Sequence, residues 1–318
     1  MKNKIFKTDK KLRENIKTII KNWEDSAKKL NLPKHNFSIT DFDEFELYLK
    51  EIQIANTNDS HKNFNELLNL IYIEIYAFSM LSLAIHQDED DEFPVFPKNS
   101  LSEEKIPDPN LVMQHIFVQI TNYSLSIAKL LESGLFHSAA IIYRVLQELC
   151  GITLVISADI NEFKTYINLQ NETSNSKRNW EKNFSPKIIN AKLFDLERKY
   201  NMPFEMIIDL QKIRNDNFSF CSQVVHNYYS HISWGSYSVS FENEEDLNSS
   251  LYGSIGKESE YLLNELYILL MYTLLFFYDI IFTVHKFKAP PDNMLWRTAV
   301  MLYKCVTEYP KIRENSAN

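Results

Sequence analysis

Two pairs of polar side chains in this chain are spaced so that each pair shares one helix face. Arg144 and Glu148 stand four residues apart, and residues at that spacing are neighbours on a helix surface. A guanidinium so placed can hold a phosphate or a carboxylate, and the carboxylate beside it can orient a proton carrier. Ser222 and His226 repeat the spacing downstream. Histidine carries protons near neutral pH, and a Ser–His pair is half of a nucleophilic dyad. One helix supplies neither oxyanion donors nor an orienting acid, so the pair alone is not a hydrolase. Both pairs also have a structural reading, as an ion pair that fixes packing and as a satisfied core histidine. His226 and His231 point about 140° apart on a helix, so they are not two ligands from one face. The sequence has no His-Glu-x-x-His and no other specific metal spacing.

The elements that must position these residues are helical. The stretch Leu111–Glu132 and the stretch Leu135–Ser157 read as two helices back to back around Gly134, an antiparallel hairpin. In the second arm Ile141, Ile142, Val145, Leu146, Leu149, Ile152 and Ile156 cover more than half the circumference, and Arg144 and Glu148 are its only charges. The polar sector of the first arm is His115, Gln119, Asn122 and Ser126. A solvated face carries more Lys and Glu than this, so both arms are expected to be buried or covered by a partner. Ser219, Ser222, His226, Tyr229 and Ser233 share one face of a helix expected over Phe218–Ile232.

Composition narrows the function. The chain has 318 residues, 45% of them hydrophobic, enough for a substantial core. Its five glycines include no three within six residues, so neither a dinucleotide fingerprint nor a phosphate-cradling loop can be built, and no cofactor is expected. Cys150, Cys221 and Cys305 are far apart and follow no secretion signal, which reads as a reduced, cytoplasmic protein. Residues 1–34 hold eleven Lys/Arg against four Asp/Glu, a +7 arm that leaves −15 on the rest of a chain of net charge −8. A body this acidic is a poor general nucleic-acid binder.

Taken in order, Thr8–Leu30 reads as an amphipathic helix with Leu12, Ile16, Ile19, Trp23, Ala27 and Leu30 on one stripe. Helices are expected at Asp41–Ala55 and His61–Ile85, with a turn at Asn56–Ser60. The acidic run after His86 and the prolines that follow read as a solvated loop. Asp108-Pro109 caps the hairpin's first arm. Asp159 and Glu162 form a capping box, Ser185-Pro186 starts a helix to Tyr200, and Pro203 starts another to about Ile213. Arg214–Asn217 reads as a break and Ser236–Phe241 as a short strand. Leu266–Tyr278 carries no charge, but thirteen residues between Glu265 and Asp279 are too few to span a membrane. Glu265, Tyr272, Asp279 and Thr283 fall in one sector, so a central buried helix is expected. Asp279 then either approaches Arg144 or a histidine in a network with Glu148 and His226, or lies in water at the bundle end and merely terminates the apolar run. Met294–Tyr309 is the last helix, closed by Pro310. The domain division is an N-terminal helical arm at 1–60, a helical bundle at 61–310 and a disordered tail at 311–318.

The run Ala128-Lys-Leu-Leu-Glu-Ser-Gly134, then Ala139, Ala140 and Tyr143-Arg144-Val-Leu-Gln-Glu148, resembles a bacterial all-helical family of unknown function. In that family Arg and Glu four apart follow a Leu-Leu-x-x-Gly turn, and a later helix carries a Ser-x-x-Val-His motif. Cys221-Ser222-Gln-Val-Val225-His226 matches the second motif, and Trp180 resembles an intervening tryptophan. The resemblance covers roughly 110–235 and implies a helical bundle that brings Arg144, Glu148, Ser222 and His226 together. More broadly the chain is similar to the HEPN superfamily, helical proteins common in toxin–antitoxin and anti-phage systems. Active ribonucleases of that kind carry Arg, then four to six residues, then His. No arginine here is followed by that histidine. Arg214-Asn215 begins like the motif, but Ser219, Phe220 and Cys221 fill the histidine positions.

The expectation is an all-α, multi-helix bundle built on the central hairpin. Its function is that of an interaction or sensor module of a bacterial defence or stress system, oligomeric, with a protein partner or a second copy of itself and no membrane span. The alternative is a divergent, metal-independent HEPN-like ribonuclease, with RNA as partner. It would use His226 as general base, Arg144 to hold the scissile phosphate, Glu148 to orient one of them, and Ser222 beside them.

Overall fold

A computed structural model describes residues 10–30, 32, 39–86, 107–171, 176–226, 237–239, 241, 247–249, 252–288 and 292–316. The chain is all-α. In order it forms α1 (Lys10–Lys29), α2 (Ile39–His86), α3 (Pro109–Glu132), α4 (Phe136–Ala158), α5 (Ile160–Asn171), α6 (Ser176–Phe184), α7 (Pro186–Lys199) and α8 (Phe204–Val225). Two three-residue strands, β1 (Tyr237–Val239) and β2 (Leu247–Ser249), pair antiparallel before α9 (Lys257–Asp279). A π-helical turn, Ile280–Val284, extends α9, and α10 (Met294–Ser316) follows.

Local chemistry sets several of these boundaries. Asp108 Oδ1 accepts from the Asn110 N–H at 2.9 Å, with Pro109 in the first turn of α3. Asp159 Oδ1 accepts from the Asn161 N–H at 2.8 Å at the start of α5. α3 stops at Gly134, whose φ is +76°. The Leu135 N–H donates to Leu130 O at 2.8 Å and the Gly134 N–H to Leu131 O at 3.0 Å, the paired bonds of a Schellman stop. The turn is clamped from outside. Ser254 N–H donates to Gly134 O at 3.1 Å, and Asn56 Nδ2 donates to Ser133 O at 3.0 Å.

The bundle has two sides. On one, α2, α3 and α10 pack together; on the other lie α5, α6, α7 and α8. α3 and α4 pack on each other across the Gly134 turn, but α3 lies more extensively against α2. α4 touches both sides, packing on α3, α5, α7, α8 and α9, while α9 packs on α2, α3, α4 and α10 and reaches α7 and α8 through the Tyr272 and Glu265 side chains. An aromatic seam runs through the core: the Phe117 ring meets Phe277 edge-on at 4.8 Å and Phe78 at 5.8 Å.

Several expected boundaries move. There is no turn at Asn56–Ser60; α2 runs through it, past residue 60, and bends at Phe64 (φ −127°, ψ 15°). The polar residues there work from within the helix: Asn56 reaches the α3–α4 turn, Thr57 Oγ1 donates to Gln53 O at 2.8 Å and Asn63 Nδ2 to Asp59 O at 2.9 Å. Arg214–Asn217 is no break, because Arg214 and Asn217 are buried members of an unbroken α8. α10 continues through Pro310 to Ser316, into the stretch expected to be a disordered tail. A proline removes one helical hydrogen bond at a cost of about 3 kcal/mol, and helix can resume on both sides of it. The strand expected at Ser236–Phe241 is present as β1. The acidic run 87–92, and Tyr229, His231 and Ser233 of the strip expected on Phe218–Ile232, lie outside the described residues.

Three helical stretches, Leu47–Ile85, Phe136–Ala158 and Lys257–Val284, are long and apolar enough to cross a membrane by length and composition. The last is longer than the charge-free run suggested, because α9 continues past Asp279. More than half of each apolar window is buried inside the bundle.

Candidate functional site

One cluster of polar groups drawn inward forms where α4, α7, α8 and α9 converge. α8 supplies the hub. Ile207, Arg214, Asn217, Cys221 and Val224 are its buried residues, a stripe at helical spacing that includes two polar side chains. Arg214 makes a bidentate pair with Glu197 of α7, Nη1 to Oε1 at 2.6 Å and Nη2 to Oε2 at 3.2 Å. Glu197 is completely buried and Arg214 is 8% exposed. Tyr272 of α9 donates its hydroxyl to Glu197 Oε1 at 2.6 Å, and the Arg214 guanidinium lies 5.7 Å from the Tyr272 ring centre. One turn on, Asn217 donates to Glu265 and accepts from the Tyr261 hydroxyl. Burial raises the Glu265 carboxyl above the ordinary carboxylate range.

The residues singled out from the sequence are placed differently. Arg144 Nε lies 3.4 Å from Glu148 Oε1, but the two side chains are 22% and 36% exposed, so the pair is half-buried. The Arg144 guanidinium also stacks at 4.7 Å on the Phe218 ring of α8. Ser222 Oγ is buried without a hydrogen-bond partner. His226 is the exposed C-terminal cap of α8. Among the described residues no side-chain hydrogen bond or ion pair joins His226 to Arg144, Glu148 or Ser222.

Asp279 does not enter a network with Arg144. It is exposed at the end of α9, where its charge acts on Tyr200 and Tyr303. The inward polar stripe of α9 is real in Glu265 and Tyr272, and the cation that meets it is Arg214. The sequence alone does not single out the Arg214–Glu197 pair, because Arg214-Asn-Asp-Asn217 reads locally as a break. The spacing Ile189, Leu193, Glu197 on α7 and Ile207, Arg214, Asn217, Cys221 on α8 was the available signal.

A groove opens over this network. Its inner cleft, about 30 Å³, is lined by residues of α4, α7, α8 and α9 that include Gln147, Glu148, Arg214 and Tyr272. An outer hollow of about 360 Å³ lies between α7 and α8 and shares Pro186, Asn190 and Phe218 with the inner cleft. Gln147 Nε2 donates to Arg214 O at 2.9 Å, while Gln147 Oε1 and Arg214 Nε are buried without partners. Buried polar atoms of this kind are uncommon and call for a water or a ligand.

Covalent thiol chemistry has no support here. Burial pushes the Cys150 and Cys221 thiols up to about 12, so neither is a thiolate at neutral pH. Among the described residues no group of three or more His, Cys, Asp or Glu could hold a metal ion. Comparison with models of protein families, with curated proteins and with solved structures gives no match. The resemblance drawn from the sequence therefore rests on its residues alone.

Proposed function

We propose that this protein is a helical interaction module that acts by self-association, the basic α1 of one copy docking on the acidic body of the next. The observation that carries this is the state of α1. Ile19, Trp23 and Leu30, on its apolar stripe, are 66%, 56% and 70% exposed, and Ala27 is its only buried residue among those described. An amphipathic helix that leaves its apolar face in water lacks the contact that stabilises it. A +7 arm and a −15 remainder attract one another. A charge-free face is available on α3, where Leu111, Val118 and Leu125 are exposed at seven-residue intervals and no Asp, Glu, Lys or Arg occurs from Pro109 to Ala128. We take the module to be cytoplasmic, on the support of three free cysteines and of apolar helices turned largely inward. Recovery from lysate without detergent tests that placement.

Sedimentation velocity of the full chain and of residues 35–318 tests the association. The full chain is expected to be oligomeric at low salt and to dissociate as salt screens the arm. The truncated chain is expected to be a folded monomer, and Trp23→Ala to weaken association without lowering thermal stability. A full chain that is monomeric at low salt, or a truncation that unfolds, removes the proposal.

The ribonuclease alternative has less support. Arg214 is occupied by Glu197, Arg144 already has Glu148 and Phe218 as partners, and His226 stands apart as a cap. Cleavage of labelled RNA by the wild type and not by His226→Ala would reinstate it.

A further inference from the structure

The exposed side of α3 and the exposed side of α1 carry the same spacing. On α3, Leu111, His115, Val118, Asn122, Leu125 and Lys129 are all exposed, at alternating steps of four and three. On α1, Ile19, Trp23, Ser26 and Leu30 are exposed at the same alternating steps, and the half-buried Ile16 precedes them by three. This alternation keeps one row of side chains turned toward a partner as two helices wind about each other. At 1.5 Å per residue the α3 row is about 27 Å long and the α1 row about 21 Å, so one fits on the other. A lipid surface does not suit the α3 row, because His115, Asn122 and Lys129 would lie there without polar partners.

The side chains also select a direction. Set the rows antiparallel, ending together at Leu30 and Leu111. Leu30 then meets Leu111, Trp23 meets Val118 and Ile16 meets Leu125, while the polar Ser26 meets His115. Set parallel, Trp23 meets Asn122, Leu30 meets Lys129 and Ser26 meets Leu125, which leaves Ile19 on Val118 as the one apolar pair between residues 16 and 30. The charges agree with the first arrangement. α1 closes on Lys28 and Lys29. Antiparallel, these come to Asp108, which caps α3, and the two helix dipoles oppose. Parallel, they come to Lys129, which is exposed and of like charge.

We propose that α1 of one copy lies antiparallel along α3 of the next, with Leu30 on Leu111 and Trp23 on Val118. This rests on the self-association reading and gives it a seat and a direction.

Cysteine coupling tests the seat. Each protein carries Cys305→Ser, because Cys305 is exposed while Cys150 and Cys221 are buried. Affinity-tagged Leu30→Cys is mixed at low salt, under mild oxidation, with untagged Leu111→Cys. Two cysteines join when their Cβ atoms come within about 4.5 Å. The tagged–untagged disulfide is expected to form at least roughly tenfold faster than with Lys129→Cys as the second protein, and to slow as salt is added. Val118→Glu places a charge on the seam at an exposed position. It should raise the dissociation constant of self-association at least roughly tenfold in sedimentation, with thermal unfolding unchanged. Faster coupling to Lys129→Cys gives the parallel arrangement and overturns the proposal. So does a chain carrying both Leu30→Cys and Leu111→Cys that closes on itself at a rate independent of dilution, because α1 then lies on its own α3. If sedimentation shows an oligomer while neither pair couples, or while Val118→Glu associates as the wild type does, α1 docks elsewhere. This proposal then falls and self-association stands. A full chain that is monomeric at low salt removes both.

Discussion

Glu197 and Glu148 each face an arginine, and the two pairs differ in how much water reaches them. Glu197 is completely buried and holds Arg214 with two hydrogen bonds, whereas the Glu148 side chain is 36% exposed and meets Arg144 at 3.4 Å. Removing one partner of a buried pair strands the other charge in a low dielectric, at a cost of about 3–5 kcal/mol. A half-exposed pair loses little, because water takes over, and the cost is about 0–1 kcal/mol. Glu197→Gln is therefore expected to lose about 3–5 kcal/mol in urea unfolding, and Glu148→Gln less than about 1 kcal/mol. Replacing both ends of the buried pair, as Arg214→Met with Glu197→Leu, should recover most of the loss, since no stranded charge remains. Equal losses for the two glutamate variants would show that burial does not separate the pairs.

The α3–α4 connection shows what one element demands of one residue. Gly134 has φ +76°, and a Cβ there would lie 2.5 Å from Ser254 N and 2.8 Å from Ser254 O. Backbone strain of this kind costs about 1–3 kcal/mol for a residue with a side chain. Here the obstruction is backbone, which cannot swing away. Gly134→Ala is expected to lower stability by at least about 2 kcal/mol and to loosen the segment at Gly253 and Ser254. Amide hydrogen exchange at Ser254, which donates to Gly134 O, reads the second effect, and unchanged protection there would show that the turn is not clamped.

This stop was legible in the sequence because glycine after a helical run has one dominant cause. So were the caps at Asp108 and Asp159, for the same local reason. The interior of α8 was not legible. A run of Arg, Asn, Asp and Asn resembles a turn when its partners are unknown, and Glu197 and Tyr272, which make Arg214 tolerable inside, come from other helices. His226 was misplaced for the related reason that spacing within a helix says which residues share a face but not where the helix ends. Arg144 and Glu148 were found as a pair, since the four-residue spacing is sufficient for that. Their depth was not legible, because it depends on what covers α4.

At the scale of the whole molecule, one buried acid sets the pH response. Glu74 of α2 is completely buried, neither carboxylate oxygen has a hydrogen-bond partner, and burial holds its carboxyl well above the ordinary range. Glu265 and Asp279 are also raised by burial. A carboxyl raised in the folded state favours folding while it is protonated in both states. That stability is lost as pH rises from about 4.3, where the unfolded chain ionises, through the folded value. His285 works in the opposite sense: burial lowers it, so its share is lost as pH falls below about 6.5. Between about pH 7 and pH 8 the imidazole is mostly neutral in both states. Burial holds the Glu74 carboxyl well above the ordinary range, so its effect reaches into this interval for as long as it stays protonated in the fold. Stability is expected to fall across it by up to about 1.4 kcal/mol per pH unit while Glu74 stays protonated in the fold. Glu74→Gln should flatten that slope and gain on the wild type as pH rises. Glu74→Leu should go further, adding about 1–3 kcal/mol at pH 8 by removing a buried polar group that has no partner. Thermal unfolding of the three proteins at both ends of the interval checks this. If the wild type and Glu74→Gln change in parallel, the carboxyl is solvated or paired in solution and the core does not hold it neutral.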